Sequence, residues 1–257
     1  DTSSPIHPAG QEENAVIIPL PWIIQSESMT GIDGSYTTNQ PGLVTSKPRL
    51  NDLMLITEEN LLDAAGIIQN CSGIVLDLTE MPAINDAEIE ALLVSLYSRM
   101  NDDSLVFLKD SISRVDHLFR LVVDLDLDGA LVDVASSGGS RAAAALPRIG
   151  LVAQAMNLPK QGRRILLQLN EAPSAEDLLI AVGAGCSAII APPPSEDIET
   201  ALTWIDGTLR GWMLELGINS LSELTRRNLR ALDHDTAAIS GLRLIGYDRP
   251  LPMWLRN

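Results

Sequence analysis

Three ionisable residues stand out in short apolar runs: Asp77 in Gly73-Ile-Val-Leu-Asp-Leu78 and Asp133 in Gly129-Ala-Leu-Val-Asp-Val134 are flanked by apolar residues, and Lys109 ends Leu105-Val-Phe-Leu-Lys109. A lysine beside carboxylates can serve proton transfer, with Lys109 and Asp133 as the catalytic pair and Asp77 as an alternative base. The same residue types also build structural ion pairs, here with Lys109 and Arg141 as partners, and the structural reading is preferred. A second cluster follows Asp133 almost directly: Ser136-Ser-Gly-Gly-Ser-Arg141. Gly138 and Gly139 let backbone approach a ligand closely. Ser136, Ser137, Ser140 and Arg141 would add donors for an anion at the start of the following helix, and Lys109 would supply a second charge.

Metal and thiol chemistry find less support. The two cysteines, Cys71 and Cys186, are too few for a four-thiolate zinc site, an iron–sulfur cluster or a disulfide framework. The three histidines, His7, His117 and His234, are dispersed without ligand spacing, and no metal site is expected.

These residues need a scaffold, and the spacing of apolar runs supplies one. Short apolar runs at 53–56, 73–78, 105–109, 129–134, 165–169 and 187–191 alternate with helical patterns at 58–69, 86–100, 112–126, a stretch ending at 157, and 174–183. Runs with no polar alternation read as strands buried on both faces, and the alternation of strand and helix reads as a parallel sheet. The clearest unit is Arg164 to Pro194. Ser174 caps its helix, Glu176 and Asp177 sit in the first turn, and Gly183-Ala-Gly185 closes it. The expected fold is α/β: a (β/α)8-type TIM barrel, incomplete or distorted, with an N-terminal arm and a C-terminal helical extension. The corresponding regions are 1–50, an extended arm and loop; 51–194, the barrel core; and 195–257, helices and tail packed on the barrel. Ala15–Gln25 is apolar and reads as a strand at the barrel's entrance or as a hydrophobic arm that packs on a partner; Pro19 and Pro21 exclude a central strand through the run. Residues 26–49 lack periodicity and read as a long loop. The longest helix is expected from Ser195 to Leu216, stopped by Gly217. Ser220-Leu-Ser-Glu223 reads as a capping box opening a helix to about Leu232.

Composition narrows the partners. The chain has 257 residues and a formal net charge of −16, with a pI near 4.4 and a mean hydropathy of +0.13. That charge disfavours nucleic acid, whose phosphates it would repel. No apolar run reaches the eighteen residues of a membrane-spanning helix, so no membrane insertion is expected. Asp1 to Asn14 has no signal-peptide core, which points to a cytoplasmic location. The first residue is Asp1 rather than Met, so the chain is expected to be processed or to start part-way into a longer protein.

From about Gly73 to Gly246 the order of these parts resembles the FMN-binding synthase domain of glutamate synthase and its relatives. Val132-Asp-Val-Ala-Ser-Ser-Gly-Gly-Ser-Arg-Ala-Ala-Ala-Ala-Leu-Pro147 is similar to a family strand that ends in a glycine-rich loop. Lys109 in Val106-Phe-Leu-Lys109 is similar to the family's substrate-side lysine. Arg164 to Pro194 has the layout of its last phosphate-binding unit. The family holds the FMN phosphate on Gly-Gly after one strand and Gly-Thr after the next. Here those positions are Asn170-Glu171 and Ala191-Pro192, a degenerate phosphate loop: Glu171 repels phosphate and Pro192 lacks an N–H. The family's iron–sulfur cysteines have no counterpart. The resemblance therefore implies a barrel that has lost its FMN and iron–sulfur sites and acts as a non-catalytic structural or assembly subunit. Its partners would be other protein subunits or copies of itself, with no cofactor. The alternatives are an FMN-dependent oxidoreductase of the glutamate synthase type acting on amino or imino groups, with FMN retained, or a small-anion-binding barrel.

Overall fold

The structure is a computed structural model and describes residues 22–24, 44–48, 50, 52–81, 84–134, 149–194 and 197–247. Eight strands form one sheet: β1 (Trp22–Ile24), β2 (Val44–Thr45), β3 (Leu53–Ile56), β4 (Gly73–Asp77), β5 (Leu105–Ser111), β6 (Gly129–Asp133), β7 (Arg164–Gln168) and β8 (Ala188–Ala191). Every pairing is parallel. The order is β1-β8-β7-β6-β5-β4-β3-β2. Each strand thus lies beside its sequence neighbour, and β1 returns to β8. This is the cyclic order of an eight-stranded barrel with one seam, which lies between β1 and β2 among the described residues.

Strand alternation builds two separate cores. Successive side chains point to opposite faces. Val44, Leu53, Val75, Phe107, Leu131 and Leu166, with Ala188 and Ile190, form one buried cluster. It draws on each strand from β2 to β8, so the sheet curls around it. The alternate residues, among them Ile74, Leu76, Val106, Leu108, Ala130, Val132, Ile165, Leu167 and Ile189, join a larger cluster with the helices. A sheet buried on both faces explains why the strands read as unbroken apolar runs.

The crossovers carry α1 (Leu61–Ala64), α2 (Asp86–Tyr97), α3 (Val115–Asp124), α4 (Ile149–Ala155) and α5 (Ala175–Gly183). After β8 come α6 (Ile198–Leu216), β9 (Arg230–Ala231), α7 (His234–Ser240) and β10 (Arg243–Leu244). Local chemistry sets most of their starts. Asn85 and Ser174 each form a full capping box, with Glu88 and Asp177 respectively. Asp197 accepts from the Thr200 N–H at 3.0 Å, and Asp233 from the Thr236 N–H at 2.7 Å. Gly217 (φ 67°) ends α6 in the left-handed region.

Several expectations need correction. The helix expected over 58–69 is reduced to one turn, α1, and a 3-10 turn at Ile68–Asn70. Asn60 organises the entry: its side chain accepts from the Thr57 N–H at 2.9 Å and donates to the Leu55 carbonyl at 2.8 Å. An Asn that bonds local backbone in this way competes with helix. The helix expected from Ser220 to Leu232 is also absent. Ser220 accepts from the Ser222 N–H at 3.2 Å, only a 3-10 turn forms at Leu221–Glu223, and the chain becomes extended at β9. The expected loop 26–49 contains β2, two residues long and paired to β3. The strand ending at Lys109 runs on to Ser111. β1 starts directly after Pro21, as the two prolines of that run require. The C-terminal tail lies outside the described residues.

Candidate functional site

The three ionisable residues come together at the C-terminal ends of adjacent strands, where barrels of this type carry their chemistry. Asp77 ends β4 and pairs in register with Lys109 of β5, while Asp133 ends β6 opposite Ser111. By the two-residue alternation Asp77, Lys109 and Asp133 continue the inward-facing rows of Val75, Phe107 and Leu131. A layer of charge thus sits directly on the apolar plug of the barrel.

The Lys109 Nζ donates to Asp77 Oδ2 at 2.6 Å and stands 3.9 Å from Asp133 Oδ2. The other Asp77 oxygen accepts from the Thr79 hydroxyl at 2.6 Å and the Thr79 N–H at 3.0 Å. Exposure is 0 % for Asp77, 7 % for Lys109 and 6 % for Asp133. Buried charges persist only when paired and hydrogen-bonded, and Asp77 meets that condition on both oxygens. Asp77 is thereby fixed between Lys109 and Thr79 by hydrogen bonds on both oxygens. Thr79 escaped the sequence reading as a partner of Asp77, although its place two residues on is the usual reach of an Asx turn.

Asp110 alternates to the helix side of β5. Its carboxylate accepts from the Ser111 N–H at 2.8 Å and pairs with Arg114 at 3.3 Å across the start of α3. It belongs to the wall and not to the mouth. His117 is half-buried on α3 and bonded to Asp86 at 2.9 Å, with Arg120 on the other oxygen at 2.9 Å. The hydrogen bond from His117 holds the Asp86 carboxyl below the usual carboxylate range. This group ties α3 to the start of α2.

The loop Ser136, Ser137, Gly138, Gly139, Ser140 and Arg141 lies outside the described residues. The loops after β7 and β8 are described. Asn170 and Glu171 are exposed; Ala191 is buried and Pro192 half-buried. Among the described residues no group of three or more His, Cys, Asp or Glu is placed to hold a metal ion. No described helix is long and apolar enough to cross a membrane.

No family model and no curated protein matches the chain. Among solved structures it is similar to a leucine-to-alanine mutant of flavocytochrome b2 with benzoylformate, at 13% identity and a TM-score of 0.48, over 79% of this chain and 58% of that one. A double mutant of flavocytochrome b2 with sulfite bound is similar at 10% identity and a TM-score of 0.27, over 70% and 69% of the two chains. A mandelate racemase/muconate lactonizing enzyme from a marine actinobacterium is similar at 12% identity and a TM-score of 0.27, over 67% and 54%. The chain thus spans less than two thirds of the first of these proteins.

Proposed function

We propose that this barrel is a non-catalytic structural or assembly subunit, a relative of the glutamate synthase type that has lost its flavin and iron–sulfur sites. The observation that carries the reading is the closed charge layer: Lys109, the one candidate nucleophile or anion ligand at the described mouth, is bonded to Asp77 at 2.6 Å and flanked by Asp133. One ammonium N–H of the buried lysine is committed to Asp77 and a second carboxylate stands beside it, which favours a structural ion pair over a substrate ligand.

The loops after β7 and β8 support the same reading. Barrels of this type commonly place a phosphate there, on backbone N–H groups and a helix N-terminus. After β7 this chain has Glu171, and the start of α5 is filled by the Asp177 carboxylate of its own capping box. After β8 come Pro192, Pro193 and Pro194, which have no N–H, and then the Asp197 carboxylate on the first turn of α6. Carboxylates and imino nitrogens do not fit the phosphate of FMN. The assembly role draws on a separate feature. Leu232, Ile245 and Tyr247 are 78 %, 58 % and 55 % exposed. Leu232 and Ile245 follow β9 and β10 one step beyond the paired Ala231 and Leu244, which places them side by side.

The test is the absorption spectrum and native mass of the purified particle. A colourless protein in a species heavier than the 27.7 kDa chain is expected. Stoichiometric flavin absorbance, or a monomer at every concentration that carries no co-purifying protein from the native extract, would overturn the reading.

A further inference from the structure

The opposite end of the barrel carries a cavity of about 780 Å3. It lies between the connection from α4 to β7 (residues 157–164), the turn from α5 to β8 (183–187) and the segment 222–227 that follows α6. These are connections entering the strands, so the cavity faces away from Asp77, Lys109 and Asp133. Its volume is within the usual range for small-molecule sites, roughly 300–1,000 Å3.

Its charge is the reverse of the chain's. The protein has 34 acidic and 18 basic residues, yet among the described residues the lining includes Lys160, Arg163, Arg164, Arg226 and Arg227 and no Asp or Glu. Two of the five are held by the fold. Arg163 donates to the Asp126 carboxylate and the Leu127 carbonyl, and Arg226 to the Ser240 carbonyl. The side chains of Lys160, Arg164 and Arg227 make no hydrogen bond or ion pair among the described residues. Packing demands nothing of them: all three are exposed at the rim. In a chain with so many carboxylates, three unpaired cations around one hollow raise a local positive potential that concentrates anions. Two of them are arginines, whose planar fork suits phosphate oxygens.

We infer that this cavity is a binding site for a small polyanion of the phosphate-ester class, held by Lys160, Arg164 and Arg227. A nucleic-acid backbone is a poor alternative, because the surrounding surface of a −16 chain would repel it. The site lies at the end of the barrel that normally serves stability, so the ligand would act by stabilising the strands β7 and β8 that the cavity loops feed. The inference does not depend on how the barrel mouth is read.

The experiment is calorimetric titration of the full chain with inorganic pyrophosphate at low ionic strength. Saturable binding at one site is expected. The double variant Arg164→Gln/Arg227→Gln should weaken it about a hundredfold, the loss of two charge-assisted contacts. Lys160→Gln, on an exposed turn, should weaken it about tenfold. Arg99→Gln, an exposed cation outside the cavity, should bind like the parent. Circular dichroism of each variant reports folding. Absence of saturable heat, parent-like affinity in the folded double variant, or an equal loss in Arg99→Gln overturns the site.

Discussion

At the scale of single residues, the arrangement around Lys109 makes a sharp claim about energetics. Asp77 is fully buried and its two oxygens are satisfied by Lys109 and Thr79. Asp77→Ala leaves a buried ammonium without its main partner and should cost about 3–5 kcal/mol. The change Lys109→Met leaves Asp77 and Asp133 facing one another and should also destabilise. The pair Asp77→Ala/Lys109→Met should cost less than the sum by about 1–3 kcal/mol, read from urea midpoints in a double-mutant cycle. Additive effects would show that the two side chains do not act as a unit. The cysteines give a second test at this scale. Cys186 is buried with its thiol pushed up to about 12, and burial also raises Cys71. Both should resist a thiol reagent at pH 8 in the native protein and react promptly in urea. The three ionisable residues were legible in the sequence because each lies in or ends a short apolar run. Their division of labour was not: which oxygen bonds which proton depends on register between strands more than twenty residues apart. No local pattern encodes that register, or the inversion of charge at the far end, whose cations come from two distant stretches of chain.

At the scale of elements, the helix starts depend on carboxylates. The Thr200 N–H holds the Asp197 carboxyl below the usual range, and the Thr236 N–H does the same for Asp233. A carboxyl whose pKa is lower in the folded chain adds stability above its unfolded pKa, about 3.9. That contribution is lost as pH falls through the folded value. Asp197→Asn/Asp233→Asn keeps the cap geometry and removes the titration. The variant should therefore be less stable than the parent at pH 6 and converge on it as pH falls below the carboxylate range, measured by urea unfolding at falling pH. A constant difference at all pH would assign the effect to packing. Between strands, Gly129 has no room for a side chain: a Cβ there would meet the Arg164 carbonyl oxygen at 2.0 Å and the Phe107 ring at 2.8 Å. Gly129→Ala must push β6 away from its neighbours and should cost about 1–3 kcal/mol, read as a lowered urea midpoint. Elements with strong local signals were legible: α2 after Asn85, α5 after Ser174, α6 to Gly217. The failures at 58–69 and 220–232 share one cause. Asn60 and Ser220 bond nearby backbone and stabilise turns that a helical pattern of apolar residues does not reveal.

At the scale of the whole molecule, the barrel has one seam among the described residues, between β1 and β2. The apolar runs made the alternating α/β order legible and offered Ala15–Gln25, which contains β1, as an entrance strand or an arm; β2 escaped because two residues show no period, and both strands are short. Their short length has a physical consequence. β4 to β7 each have a strand on both sides, and β5 extends over seven residues between two partners. Their side chains lie between the inner plug and the helix layer, so their amides can open only when both cores open. Among the described residues β1 pairs along one edge with β8, and β2 along one edge with β3. Opening either one breaks a few hydrogen bonds and leaves the rest of the sheet intact. Free energies of opening run from near zero at such edges to the global value in a core. Native-state hydrogen exchange followed by mass spectrometry should therefore show a gradient. Peptides over 105–111, 129–133 and 164–168 should exchange only at the rate set by global unfolding. Peptides over 22–24 and 44–45 should exchange far faster and with little response to low urea. Pyrophosphate, if it fills the far cavity, should slow exchange at 157–169 and 183–191 and leave 44–45 unchanged. Uniform protection around the sheet would mean that the seam is sealed in solution and that β1 and β2 open only with the whole barrel.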